Sequence, residues 1–132
     1  MSVLILVVDD EPDVADLFRQ QFRRELRAGR FGLAFAHSAA EALERIRAPG
    51  DSTLILVFSD INMPGVTGLE LLPQVKRTCP DVPVIMITAY GDAETRRRAA
   101  EGGAADVLVK PIDFTVLRKE VDRRLAEIDA AA

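Results

Sequence analysis

The feature that most constrains this chain is a set of short, uninterrupted apolar runs rich in β-branched residues. Four runs are distinct, and they occupy residues 3–8, 54–58, 84–87 and 107–109. A weaker run lies at 33–36. Because no polar residue alternates with the apolar ones, the runs are typical of strands buried on both faces of a parallel sheet. The sequence therefore predicts five parallel strands.

Segments with helical periodicity separate these runs. The first helix is predicted to begin at Pro12, which suits a first turn, and its apolar face comprises Val14, Leu17, Phe18 and Phe22. Further helices are expected behind a capping box at 38–41, at 68–76, at 92–101 and along an apolar stripe at 117–128. A strand and a helix repeated five times require right-handed crossovers with helices on both faces of the sheet. The predicted fold class is α/β, as a single doubly wound domain.

Composition narrows the function classes. With 132 residues, of which 48% are hydrophobic, the chain suits one domain with one core, and its single cysteine, Cys79, excludes a disulfide scaffold. The net charge of −4 weighs against a nucleic-acid or anionic-membrane partner. The first apolar run is too short to span a bilayer, and acidic residues follow it at once, so it does not resemble a signal peptide. A cytoplasmic location is predicted.

Polar side chains follow four of the five runs, at the point where each strand ends. They are Asp9 and Asp10, Asp60, Thr88 and Lys110. Any one of them could simply mark where a buried strand meets solvent, but three carboxylates, one hydroxyl and one of only three lysines form a coherent set. Because the carboxyl ends of parallel strands share one edge of the sheet, we expect these side chains to gather there.

This set of residue types indicates phosphoryl chemistry. Converging carboxylates repel one another unless a cation joins them, and Mg²⁺ prefers such oxygen ligands. One carboxylate can then attack phosphorus while Lys110 and Thr88 stabilise the phosphoryl oxygens. Asp60 is the predicted nucleophile, because the turn at 61–65 gives it access and can offer a backbone carbonyl to the metal. Of Asp9 and Asp10, one is expected to face the metal directly and the other to reach it through water.

Four motifs at the strand ends together resemble a known family. They are 8–12, 59–64, 87–90 and 109–111, in the same order and on the same strands as in the receiver domains of two-component response regulators. The resemblance covers essentially the whole chain, so residues 1–132 are expected to form one receiver domain without an effector domain. It implies a flavodoxin-like (βα)5 fold with strand order 2-1-3-4-5.

The resemblance also implies roles for the acidic residues. Asp60 would accept a phosphoryl group from the phosphohistidine of a histidine kinase or a histidine phosphotransfer protein. Asp10 would bind Mg²⁺, or Mn²⁺ in its place, directly, Asp9 would bind it largely through water, and Asn62 would bind it by its backbone carbonyl. The domain would catalyse its own phosphorylation and dephosphorylation without being a conventional turnover enzyme.

The remaining motif residues are implied to be switch residues. Thr88, followed by Ala89, would move to hydrogen-bond the phosphoryl group, and Lys110 would pair with that group. Lys110 and Pro111 are expected to share a cis peptide bond, as in relatives.

Two positions near these motifs need separate interpretations. Val107 stands where receivers commonly carry Tyr or Phe, so the aromatic readout of phosphorylation is not expected in its usual form. Tyr90, the only tyrosine, either shields the phosphoryl group from water or is a half-exposed loop ring, and the sequence favours neither.

Other polar residues are predicted to be solvent-facing. The basic residues of 96–98 and 118–124 could support a homodimer through the fourth and fifth predicted helices, but a solvated face with the pairs Glu94–Arg98 and Glu120–Arg124 is favoured. His37 lacks a second histidine or cysteine with which to share a metal and is expected to be a surface residue. The long segment between Asp10 and Asp60 is expected to place its extra residues in loops at 27–32 and 48–53.

Two other function classes fit parts of the pattern. A phosphatase of the haloacid dehalogenase type also carries an aspartate after its first strand, but it requires a second aspartate where this chain has Glu11. A receiver-like interaction module that has lost phosphate chemistry usually lacks one of the acidic, threonine or lysine positions, and here all are present.

Overall fold

The computed structural model describes residues 2–48 and 50–131, so Met1, Ala132 and the predicted loop residue Pro49 lie outside the described residues. Five parallel strands form one sheet in the order β2-β1-β3-β4-β5. The strands are β1 (Ser2–Val8), β2 (Gly32–Ala36), β3 (Ser52–Asp60), β4 (Val84–Thr88) and β5 (Asp106–Val109). The predicted fold class and strand order are confirmed.

Helices follow each strand along the chain. They are α1 (Pro12–Gln21), α2 (Arg23–Arg27), α3 (Ala39–Arg47), α4 (Gly68–Thr78), α5 (Ala93–Glu101) and α6 (Phe114–Ala131). The capping box at the start of α3 is partly as predicted, because the Ser38 side chain accepts a hydrogen bond from the Glu41 N–H at 3.1 Å.

The hydrophobic core lies on both faces of the sheet. On β1, Leu6 and Val8 belong to the core that α3, α4 and α5 cover, whereas Ile5 and Val7 belong to the core beneath α1 and α6. Since both sets of alternating residues are buried, the strand has no polar face. This is the physical reason for the uninterrupted apolar runs.

The first predicted helix is in fact two helices, which corrects the sequence prediction. The chain leaves α-helical geometry at Phe22, whose φ is −106° and ψ is 19°, and α2 then occupies part of the segment expected to be loop. Phe18 and Phe22 are buried as predicted, but Leu17 is 38% exposed. The buried stripe runs through Ala15 instead, which lies three residues before Phe18 on the same face.

The predicted helix-surface ion pairs Glu94–Arg98 and Glu120–Arg124 are wrong in their partners. Arg97 pairs with both Glu94 and Glu101, at 2.6 and 2.7 Å. On α6, the carboxylate of Glu120 pairs with Arg123 and that of Glu127 with Arg124. Spacings of three and four residues both bring side chains together on a helix, so the sequence alone could not choose between neighbouring arginines.

Gly68 positions the carboxyl end of β3 against the start of α4. Its N–H donates a hydrogen bond to the Ile61 carbonyl at 3.0 Å. A Cβ at this position would lie 2.2 Å from the Asp60 carbonyl oxygen and 2.9 Å from the Ile61 Cα. Because both atoms belong to the backbone, no side-chain rotation can make room for a larger residue.

Gly68→Ala is expected to lower the free energy of unfolding by about 2–3 kcal/mol, since the backbone behind Asp60 must shift. Urea unfolding measures the change. Gly32→Ala is the matched control, because a Cβ there meets Leu4 Cδ1 at 3.4 Å, and it should change stability by less than about 1 kcal/mol. Equal effects of the two substitutions would contradict the packing described here.

Candidate phosphoryl-transfer site

The carboxyl ends of four strands bring the predicted polar residues to one edge of the sheet. Asp9 directly follows β1, Asp60 ends β3, Thr88 ends β4 and Lys110 follows β5. The strand order reverses between β1 and β3, which is where doubly wound sheets form their binding crevices. The two aspartates therefore flank the crevice.

Three carboxylates cluster at this point. One oxygen each of Asp9, Asp10 and Asp60 lies within 4.8 Å of the others. Asp9 is 5% exposed and Asp60 2%, whereas Asp10 is half-buried. A compact set of carboxylate oxygens suits a hard divalent cation such as Mg²⁺. The residues present therefore fit the metal that the family resemblance implies.

Burial makes ionisation of these carboxylates unfavourable in the metal-free protein. It is the main cause that raises the pKa of Asp9 to about 6, and it outweighs the hydrogen bond from the Glu11 N–H at 2.9 Å. Burial also raises the pKa of Asp60, against the opposing effects of the Asn62 N–H and Lys110. A bound cation would remove this penalty by stabilising the ionised forms.

Lys110 supplies the positive charge of the site. Its Nζ lies 3.3 Å from Asp60 Oδ2 and 3.9 Å from Asp9 Oδ2. Burial lowers the pKa of Lys110, but the charges of Asp60 and Asp9 outweigh it, so the pKa is raised overall and the side chain stays an ammonium. The Lys110–Pro111 peptide bond is cis, as predicted, and Pro111 is exposed.

Thr88 is fully buried and is held by neighbouring residues. Its hydroxyl lies 3.1 Å from Asn62 Oδ1 and 3.3 Å from the Tyr90 carbonyl, either of which can accept its proton, and it accepts a bond from the Tyr90 N–H at 3.0 Å. The Asn62 N–H donates to Asp60 Oδ1 at 3.1 Å. Asn62 therefore links Thr88 to Asp60 through its own side chain and backbone. The sequence prediction had given Asn62 only a backbone carbonyl role.

The other predicted switch residues surround this arrangement. Ala89 is exposed, and Tyr90 is 65% exposed, although its backbone contacts the Thr88 hydroxyl. Val107 is half-buried and packs against the core that α3, α4 and α5 cover. The Tyr90 ring is thus accessible to solvent in this conformation.

Two contacts were not foreseen from the sequence. His37 Nδ1 lies 3.2 Å from the Asp9 carbonyl oxygen, at the same edge of the sheet. Away from the site, buried Glu25 forms an ion pair with Arg118, whose guanidinium stacks over the Phe22 ring at 4.8 Å. Both contacts join residues far apart in the chain, so no local pattern could have indicated them.

Comparison with known proteins decides the family. A model of the response regulator receiver domain matches residues 5–122. The chain is a response regulator receiver domain. This membership replaces the phosphatase alternative and confirms the resemblance drawn from the strand-end motifs.

Relatives of the receiver are found among both sequences and solved structures. Transcriptional regulatory protein ZraR of Escherichia coli (strain K12) is 34% identical to the receiver over 125 residues, which make up 95% of this chain and 27% of that protein. The receiver domain of NtrX from Brucella abortus is 35% identical with a TM-score of 0.77, over 92% of this chain and 98% of that one. A CheY-like receiver domain protein from Methanospirillum hungatei JF-1 gives a TM-score of 0.84 at 26% identity, over 100% of both chains.

The receiver spans about a quarter of the length of the first curated relatives it matches. In the part of the chain that the structure describes, no helix is long and apolar enough to cross a membrane.

Proposed function

We propose that Asp60 accepts a phosphoryl group from the phosphohistidine of a histidine kinase or a histidine phosphotransfer protein. The observation that carries this proposal is the environment of the Asp60 carboxylate. One of its oxygens accepts a hydrogen bond from the Asn62 N–H, the other lies 3.3 Å from Lys110 Nζ, and both Asp9 and Asp10 stand beside it. This is a carboxylate held in place next to a cation and a cluster that fits a metal ion.

The metal ion would be held by Asp9, Asp10 and Asp60 together with the Asn62 backbone carbonyl. Asp10 is assigned direct contact and Asp9 contact largely through water. Mg²⁺ is the expected ion and Mn²⁺ can take its place. When bound, it neutralises the carboxylates and the charge that develops on the phosphoryl oxygens.

The transfer itself needs few groups of this chain. A carboxylate oxygen of Asp60 attacks phosphorus, and the O–P bond forms as the P–N bond to the donor histidine breaks, with the leaving imidazole nitrogen taking up a proton. Lys110 and Thr88 donate hydrogen bonds to the phosphoryl oxygens. Thr88 must give up its bond to Asn62 to do so. Attack of water on the same phosphorus returns free Asp60, so the domain catalyses both steps of its own cycle.

The phosphorylated state is expected to alter the surface near Thr88. Val107 cannot swing between buried and exposed positions as an aromatic ring does, so the displacement of Thr88 is transmitted through its other contacts. The surface proposed to respond is that of α5 and α6, where Val109 and Val116 are each 39% exposed. This face is also the one proposed for a homodimer. The proposal gives the chain a cytoplasmic role without direct nucleic-acid binding.

Asp60→Asn is expected to abolish labelling by acetyl phosphate in the presence of Mg²⁺, because the amide cannot act as the nucleophile. Intact-protein mass spectrometry measures the added phosphoryl mass. Asp9→Asn should be labelled more slowly but at the same residue. Persistent labelling of the Asp60→Asn variant would exclude the assignment, and absence of labelling in the wild type would favour an interaction module without phosphate chemistry.

Tyr90→Ala tests whether the tyrosine ring protects the phosphoryl group. If the ring closes over phosphorylated Asp60, its removal should raise the rate of dephosphorylation about threefold or more, since water gains access. Loss of label after removal of the phosphodonor gives this rate. Equal rates in the variant and the wild type would identify Tyr90 as an exposed loop residue.

A further inference from the structure

His37 makes a contact that the proposed roles leave unexplained. Its imidazole Nδ1 lies 3.2 Å from the backbone carbonyl oxygen of Asp9. A carbonyl oxygen can only accept a hydrogen bond, so Nδ1 must carry the proton. The backbone of His37 is fixed in turn, because its N–H donates to Glu41 Oε2 of α3 at 3.2 Å.

The contact stands where the parallel ladder between β1 and β2 ends. Val8 pairs with Ala36, and the Asp9 N–H donates to the Ala36 carbonyl at 3.0 Å. The regular ladder would continue with a bond from the Ser38 N–H to the Asp9 carbonyl. In the described part of the chain this bond is absent, because Ser38 is already the N-cap of α3. The His37 side chain supplies the donor instead.

The held carbonyl belongs to the peptide group that joins Asp9 to Asp10. Among residues 2–48 and 50–131, no group donates a hydrogen bond to the Asp10 carboxylate, whereas Asp9 and Asp60 each accept one from a backbone N–H. The position of Asp10 in the cluster therefore depends on its backbone. His37 holds the peptide plane from which that backbone departs.

We propose that His37 is a positioning residue for the metal site, which orients Asp10 toward the cation through the Asp9–Asp10 peptide group. This inference rests on the proposed metal-binding function of the same carboxylate cluster. It does not require His37 to contact the metal or the phosphoryl group.

Two substitutions of His37 separate a positioning role from a merely structural one. Asn places its amide nitrogen at nearly the same distance from Cβ as the histidine Nδ1, so His37→Asn can still donate to the Asp9 carbonyl. His37→Leu keeps a similar volume near Cβ but has no donor. Titration of Mn²⁺, with the free ion followed by electron paramagnetic resonance, gives the dissociation constant of the full chain and of each variant.

We expect His37→Asn to bind Mn²⁺ within about twofold of the wild type, and His37→Leu to bind it about three- to tenfold more weakly. Wild-type affinity in His37→Leu would overturn the inference, and so would His37→Asn binding as weakly as His37→Leu. Asp10→Asn tests the metal site separately: if that variant, or Asp60→Asn, binds Mn²⁺ like the wild type, the proposed function fails whatever the His37 variants do.

Discussion

Removal of Mg²⁺ with a chelator is expected to lower the rate of phosphorylation of wild-type protein by acetyl phosphate at least about 100-fold. Asp9, Asp10 and Asp60 place three carboxylate oxygens within 4.8 Å of one another, and an incoming phosphoryl group adds further negative charge. Lys110 alone offers one positive charge against these, so the metal-free site repels the donor. The appearance of phosphorylated protein by intact-mass spectrometry measures the rate, and addition of Mg²⁺ or Mn²⁺ in excess of the chelator should restore it.

Substitution at the cluster should mimic the loss of metal. Asp10→Asn is expected to reduce the rate at saturating donor to a similar extent at low millimolar Mg²⁺. Asp16→Asn is the matched control, because it neutralises an exposed carboxylate of α1 that pairs with Arg19 at 3.2 Å and stands outside the cluster. A metal-independent rate in the wild type, or an equal loss in the Asp16→Asn variant, would contradict the role of the cluster.

Asp9→Asn is expected to stabilise the metal-free protein at neutral pH by roughly 2–3 kcal/mol. The pKa of Asp9 is about 6 in the folded state and 3.8 in the unfolded reference, so the folded state binds the proton more tightly. This preference contributes stability that is fully present below about pH 4 and is lost as the pH rises through about 6. The amide substitution removes the cost of ionising a buried carboxylate while it keeps an oxygen that can accept the Glu11 N–H.

Urea unfolding without metal at two pH values checks both the size and the sign of this effect. The stability advantage of Asp9→Asn should widen by about 1 kcal/mol between pH 5 and pH 7.5, because wild-type Asp9 loses its proton over that interval. Asp51→Asn, which neutralises an exposed loop carboxylate, should follow the wild type at both values. A variant that is less stable than the wild type at pH 7.5 would contradict the burial of an ionised Asp9 as a source of instability.

Much of the fold followed from local sequence. The buried strands were recognisable because both faces of each are covered, which leaves no polar residue in the runs at 54–58 and 84–87. The strand order and the gathering of Asp60, Thr88 and Lys110 at one edge follow from the geometry of parallel strands once those runs are correctly located. The family resemblance pointed to the same residues independently.

What the sequence could not show depends on contacts between distant segments. The break between α1 and α2 at Phe22 follows from packing of that ring against Phe31 and Phe114 rather than from a helix-breaking residue. The bond from Thr88 to Asn62 requires the ends of β3 and β4 to be side by side. The bond from His37 to Asp9 requires the end of β2 beside β1, so a lone histidine in the sequence gave no sign of it.

The most direct test of the account is to locate the phosphoryl group on the chain. Borohydride reduces an aspartyl phosphate to homoserine, which marks the phosphorylated position for tandem mass spectrometry. After reaction with acetyl phosphate and Mg²⁺, we predict homoserine at position 60 and at neither position 9 nor position 10, with none formed when Mg²⁺ is chelated. Conversion at Asp9 or Asp10, or phosphorylated protein without conversion at position 60, would contradict the assignment of Asp60 as the phosphoryl acceptor.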